Sequence, residues 1–153
     1  MKIFEGSSSP AGLKLAVIQS KYNEIIGERL LKGVTNCLNK YGLKEENYEI
    51  IKVPGAFEIP LTADKLASQK KYDAIICIGA VIRGETSHFD LIASEVSRGI
   101  MQTSLKYCIP VIFGVLTTEN VEQAVERSGP DSSNKGWEAA LAAIEMADLM
   151  RRI

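Results

Sequence analysis

The sequence predicts an α/β fold built on a parallel sheet, and three observations point to it. Short apolar runs alternate with longer segments of helical period along the whole chain, which is how successive strand–helix units read. The stretch Asp73–Ile82 is apolar almost without interruption, as expected of a central strand buried on both faces. No internal repeat and no linker divides the 153 residues, so one domain over 1–153 is expected, with enough apolar material for a core.

Taken in order, Leu13-Lys14-Leu15-Ala16-Val17-Ile18 reads as the first strand. The helix after it carries a stripe of Ile26, Leu30, Val34 and Leu38, with Leu31 and Tyr41 alongside, and Tyr41-Gly42 is its stop signal. Tyr48 to Val53 is a second strand, closed by Pro54-Gly55, and a short helix follows from about Phe57 to Ser68. After the Asp73–Ile82 strand, a long helix is expected from His88 to about Tyr107, then a strand over Val111–Leu116. Two helices complete the chain, one over about Asn120–Arg127 and one over about Asn134–Met150. The last carries Trp137, Ala140, Leu141, Ile144 and Ala147 on one face. Ser128 to Ser133 between them has loop composition. Lys2-Ile3-Phe4-Glu5 is a candidate extra strand on a tether of Gly6 to Pro10, and a neighbouring subunit is a reasonable place for it to pair.

Charge and composition exclude several classes of function. The 18 basic and 19 acidic side chains nearly balance, and no Lys/Arg run marks a nucleic-acid surface. Every long apolar stretch is interrupted by Gly, Pro or a charge, so no membrane span is expected. The N-terminus lacks the apolar core of a signal peptide, and a soluble, cytoplasmic protein is expected. Cys37, Cys77 and Cys108 are far apart, outside any CxxC, and only one histidine exists to join them. They read as buried thiols, with neither a metal site nor a disulfide framework.

In open parallel sheets ligands bind beyond the carboxyl ends of the strands. That rule selects Ser20–Asn23, Pro54–Glu58, Arg83–His88 and Phe113–Thr118. The third is the richest. Gly84 supplies a turn, Ser87 is placed as N-cap, and Asp90 stands three residues on as its capping-box partner. Unpaired N–H groups at that helix start favour an anion, so Gly84-Glu85-Thr86 is a candidate phosphate cradle; a solvated helix start is the plainer alternative. Gly79–Thr86 resembles a P-loop except that Glu85 stands where the lysine belongs, which reverses the charge meant for the phosphates. There is no GxGxxG either. His88 is the only histidine, and imidazole is the side chain that moves protons near neutrality; a surface residue at a helix start is its alternative. Arg127, closing a short helix, either complements the helix dipole or grips an oxyanion, and Lys135 raises the same question. Tyr22, Phe57 and Phe113, each read as lying at a strand end or helix start, suit stacking on a planar heterocycle or core packing.

Four segments, in order, resemble the lumazine synthase family: Pro54–Pro60, Gly79–Asp90, Phe113–Asn120 and Asn134–Ala140. The likeness covers essentially the whole chain. It implies a flavodoxin-like three-layer sandwich, with a central parallel sheet and helices on both faces. It also implies condensation of 5-amino-6-(D-ribitylamino)uracil with 3,4-dihydroxy-2-butanone 4-phosphate to 6,7-dimethyl-8-ribityllumazine, phosphate and water, the penultimate step of riboflavin biosynthesis. No metal and no organic cofactor is implied. By the same resemblance Tyr22 would stack on the pyrimidine, where the family more often has Phe or Trp. Ala56, Phe57 and Glu58 would hold its ribityl arm and edges, and Ala80, Val81 and Ile82 would line the pocket. Glu85 and Thr86 would bind the butanone phosphate, chiefly through main-chain N–H groups, and His88 would transfer protons. Phe113 and Arg127 would come from the adjacent subunit, against the pyrimidine and the phosphate respectively, with Lys135 nearby. Family members form pentameric rings, and some pack twelve rings into an icosahedral shell of sixty chains. The short segment between Arg127 and Asn134 resembles the shell-forming members, and riboflavin synthase is the partner enzyme such a shell would hold. Two other readings remain open from sequence: a flavin-binding module without turnover, and a structural shell protein without activity.

Overall fold

The structure, a computed structural model, covers residues 1–153. Four strands, β1 (Leu15–Ser20), β2 (Tyr48–Val53), β3 (Ala74–Ile82) and β4 (Val111–Thr118), form one sheet in the order β2-β1-β3-β4. Every pairing is parallel. Five helices connect and flank them: α1 (Glu24–Lys40), α2 (Ile59–Ser68), α3 (His88–Tyr107), α4 (Val121–Arg127) and α5 (Lys135–Arg152). One-turn 3-10 segments lie at Glu45–Asn47, Ala56–Glu58 and Asp131–Ser133.

Strand alternation divides the core in two. Leu15, Val17, Ile76 and Ile78 face α1 and α5, where Leu30, Val34, Ala140 and Ile144 meet them. Ala16, Ile18, Ile75 and Cys77 face the other way, onto Ile59 and Ala63 of α2 and Val96 and Ile100 of α3. The result is the predicted α/β sandwich of helix, sheet and helix. β3 is buried along nearly its whole length, which explains its unbroken apolar sequence. Because β2 and β3 lie on opposite sides of β1, the chain reverses direction of growth between β1 and β3, and the crevice at that switch point is where ligands bind in such sheets.

Helix ends follow local chemistry. α1 stops in a Schellman arrangement: Gly42 takes φ +90°, its N–H donates to the Asn39 carbonyl, and Leu43 N–H donates to Leu38. Leu38 and Leu43 are both buried there, the apolar contact that completes this ending. Asn120 caps α4 by accepting from the Gln123 N–H, and Asn134 caps α5 by accepting from Gly136 and Trp137. α1 and α5 approach closely because both are glycine at the contact. A Cβ at Gly33 would run into Asn134, and one at Gly136 into the Leu30 carbonyl.

Several expectations need correction. β1 begins two residues later than predicted and continues through Gln19 and Ser20, which are polar yet wholly buried. β4 continues through Thr117 and Thr118. Ser87 precedes α3 but makes no side-chain cap, and Asp90 closes no capping box; its carboxylate is taken by Arg83 instead. Cys37 and Cys77 are buried, but Cys108 is exposed, at the end of α3, where it takes the left-handed region at φ 51°. Residues 1–10 form no helix or strand within the chain. Their tether is not detached, since Ser7 N–H donates to Asp148 at 2.8 Å, and this bond is the main reason the Asp148 carboxyl is held below the usual range.

Candidate active site

A cleft of about 770 Å³ opens at the carboxyl ends of β1, β2 and β3. Its size is that of a small-molecule site. Tyr22 and Asn23 enter it from the β1–α1 connection, Gly55 to Glu58 from the exit of β2, and Ala80 to Ile82 from the last turns of β3. Gly84, Thr86 and His88 close it from the start of α3, with Phe89 and Ile92 below. Tyr22 is 75% exposed and Phe57 59%, so both rings stand free to stack on a planar ligand. Lys21 N–H donates to Val53 and Tyr22 N–H to Pro54, which holds the first two connections side by side.

Asn23 lies in a segment the sequence selects, but its own role there is visible only in the structure. It adopts the left-handed conformation, φ 61° and ψ 52°, which Asn tolerates better than most residues. Its Nδ2 donates to the Ala80 carbonyl at 2.9 Å, tying the start of α1 to the cleft wall supplied by β3. An Asn directly before a helical stripe was the available signal.

The Gly84–Ser87 turn carries backbone N–H groups with no acceptor in the chain, at the positive end of a 20-residue helix. That is the arrangement for an anion. Thr86 Oγ1 accepts from His88 N–H at 3.3 Å. Glu85 is exposed and does not line the cleft, so its carboxylate does not oppose an anion there. Arg83 does not enter the cleft either. Its guanidinium pairs with Asp90 at 3.1 Å and Glu119 at 2.6 Å and stacks over Phe89 at 4.3 Å. Those two carboxylates, Asp90 first, raise its pKa further. No lysine or arginine lines the cleft.

The remaining predicted residues lie elsewhere. Phe113, Arg127 and Lys135 line a second, shallower cleft of about 370 Å³ along the free edge of β4, beside α5. The two clefts share no residue. Phe113 is not at a strand end, as the sequence suggested, but third in β4, with its ring 45% exposed. Arg127 has no acidic partner and only a long 3.4 Å bond to its own helix, at Gln123. Lys135 pairs with Glu138 at 2.7 Å. No group of three or more His, Cys, Asp or Glu is placed to hold a metal ion, and no helix is long and apolar enough to cross a membrane.

A family model described as 6,7-dimethyl-8-ribityllumazine synthase matches residues 12–151. Two curated relatives, both from Clostridium kluyveri, carry the same name. Each is 53% identical over 153 residues, covering 100% of this chain and 99% of the relative.

Proposed function

The chain belongs to the 6,7-dimethyl-8-ribityllumazine synthase family, and on that premise we propose that each catalytic site is built where the large cleft of one copy meets the β4 edge of another. The protein is a transferase of riboflavin biosynthesis. It condenses 5-amino-6-(D-ribitylamino)uracil with 3,4-dihydroxy-2-butanone 4-phosphate to 6,7-dimethyl-8-ribityllumazine, releasing phosphate and water.

The observation that carries the composite site is the division of the functional groups. The large cleft offers aromatic faces, a histidine and unpaired amides but no fixed cation, whereas the β4 edge offers an arginine, a lysine and an exposed phenyl ring. Neither half alone provides both a heterocycle pocket and positive charge for a phosphate ester.

In this reading Tyr22 and Phe57 flank the pyrimidine ring, and Ala80, Val81 and Ile82 border its edge. Ala56 and Glu58 take the ribityl hydroxyls, the carboxylate accepting from them. The N–H groups of Glu85 and Thr86 and the guanidinium of the neighbour's Arg127 share the phosphate of the second substrate, while the neighbour's Phe113 closes the stack and Lys135 adds charge. The pyrimidine's amine then adds to the ketone, a Schiff base forms with loss of water, phosphate leaves, and ring closure expels water again. Each step moves a proton, which suits His88 at the mouth of the cleft. Holding two reactants in register supplies much of the acceleration.

A site shared between copies requires a closed assembly. We extend the proposal to a pentameric ring, with residues 1–10 as the arm in which Lys2–Glu5 pairs with a neighbour's sheet. Twelve rings packed as a sixty-chain shell follow from the short 128–134 loop, with riboflavin synthase as the enzyme held inside and the cytoplasm as the location. Light scattering on the size-exclusion peak tests this, and a stable pentamer overturns the shell.

The reaction is tested by mixing protein with both substrates and following lumazine absorbance against a protein-free blank. Product well above the blank supports the reading; a blank rate from folded protein leaves a flavin-binding pocket without turnover.

A further inference from the structure

Arg127 and Lys135 flank the 128–134 loop directly, and an isolated antiparallel bridge between Ser128 and Asn134 closes that loop at its base. The residues one step outside the bridge both line the β4-edge cleft. α4 caps onto Ser128, whose Oγ donates to the Ala124 carbonyl at 2.7 Å, but it is not the only anchor. α4 has seven residues and buries only Ala124, too little apolar surface to fix its own position. The second anchor comes from α1. Arg29 Nε donates to the Ser128 carbonyl at 3.0 Å and Nη2 to the Val125 carbonyl at 3.3 Å. Both lie at the C-terminal end of α4, where a cation is favoured; the Val125 carbonyl also accepts from the Ser128 N–H at 3.2 Å.

The opposite side of the bridge is tied to the same residue. Asn134, which is buried, donates from Nδ2 to the Arg29 carbonyl at 2.9 Å and to the Gly129 carbonyl at 2.8 Å. Its Oδ1 accepts from Gly136 and Trp137, so its full hydrogen-bonding capacity is spent. Arg29 thus grips one end of the loop base by its side chain and is gripped by the other through its carbonyl.

We infer that Arg29 and Asn134 are positioning residues for phosphate recognition, a clasp that fixes Arg127 and Lys135 as one cationic unit for the site they complete. The inference rests on the reading of those two cations as phosphate ligands. Charge-assisted contacts are sensitive to placement, and a displacement of an ångström costs up to about 10²-fold in well-ordered sites.

The test is steady-state kinetics of the assembled full-length protein with Arg29→Met and Arg29→Lys. Arg29 is exposed, so these variants leave the core intact. Arg29→Met raises the KM for the sugar phosphate by roughly three- to tenfold, with kcat and the pyrimidine KM within about twofold of wild type. Arg29→Lys, which keeps the charge but loses the fork, falls between. An unchanged sugar-phosphate KM overturns the inference, as does a fall in kcat with both KM values unchanged, the signature of a merely reduced folded fraction. Asn134→Ser keeps an acceptor for the helix cap but cannot make both donations, and must move the same KM in the same direction. A wild-type rate equal to the blank refutes the reaction rather than the clasp. Calorimetric titration with inorganic phosphate then decides the clasp: weaker binding in Arg29→Met supports it, and equal affinity overturns it.

Discussion

Replacing Gly136 by alanine probes the closest approach between α1 and α5. An added Cβ lands on the Leu30 carbonyl oxygen, 2.9 Å from its carbonyl carbon and 2.9 Å from Asn134 Oδ1. The first obstacle is backbone in the middle of α1, which cannot swing aside, so α5 must move away by on the order of an ångström. Overpacking of this kind costs about 1–3 kcal/mol. Against it stands the better helix propensity of alanine, up to about 1 kcal/mol in a helix interior and less in the first turn, where Gly136 sits. The net loss is about 1–2 kcal/mol, which for a chain of this size lowers the melting temperature by roughly 2–8 °C. Differential scanning calorimetry at one fixed chain concentration reads it, since the proposed assembly would make the midpoint concentration-dependent. Gly84→Ala is the control: nothing lies within 4 Å of its added Cβ, and its midpoint stays with the wild type. A Gly136→Ala protein that melts at or above the wild-type temperature refutes the packing argument.

Further outcomes follow from the same structure. His88→Ala slows turnover by roughly tenfold to a hundredfold, at or below the usual general acid–base contribution; full activity removes the imidazole from the mechanism. Arg127→Ala weakens the sugar phosphate by about 2–3 kcal/mol, roughly 30- to 150-fold in its KM, and leaves the pyrimidine KM in place. In the native protein one thiol per chain, Cys108, reacts with an aromatic disulfide reagent, and all three react after unfolding in guanidinium, because Cys37 and Cys77 are buried; a second fast thiol contradicts the packing. Burial pushes the Cys37 thiol up to about 11, while the unfolded chain ionises it near 8.5. Between those values the unfolded state holds fewer protons, so stability is intact below about pH 8.5 and falls as pH rises toward 11. Urea midpoints at pH 7 and pH 10 show this decline, and Cys37→Ala lessens it, the part that remains belonging to the Cys77 thiol, which burial also pushes up.

The sheet and its order of elements were legible because apolar runs and helical stripes are local properties. β2 and α3 keep the predicted bounds, Tyr48–Val53 and His88–Tyr107. β1 was read short because Gln19 and Ser20 are polar; they are buried by the elements packed over them, which no local pattern reports. Asp90 was assigned to Ser87 by spacing alone, but a nearby guanidinium competes better for a carboxylate than a backbone N–H does. The large cleft was legible because its segments each follow a strand. The clasp was not: Arg29 meets Ser128 across 99 positions and Asn134 meets the Arg29 carbonyl across 105. Only the folded chain brings those together.

The separation of the two clefts on one polypeptide has a genetic consequence. Under the proposed shared site, a copy carrying His88→Ala still donates an intact β4 edge, and a copy carrying Arg127→Ala still owns an intact large cleft. Two such defects compensate when the copies are co-assembled. In the proposed ring, mixed at random from equal amounts, roughly a quarter of the junctions join a good cleft to a good edge. Two alleles, each impaired in isolation, then restore growth without riboflavin when expressed together, while a double variant in one chain does not.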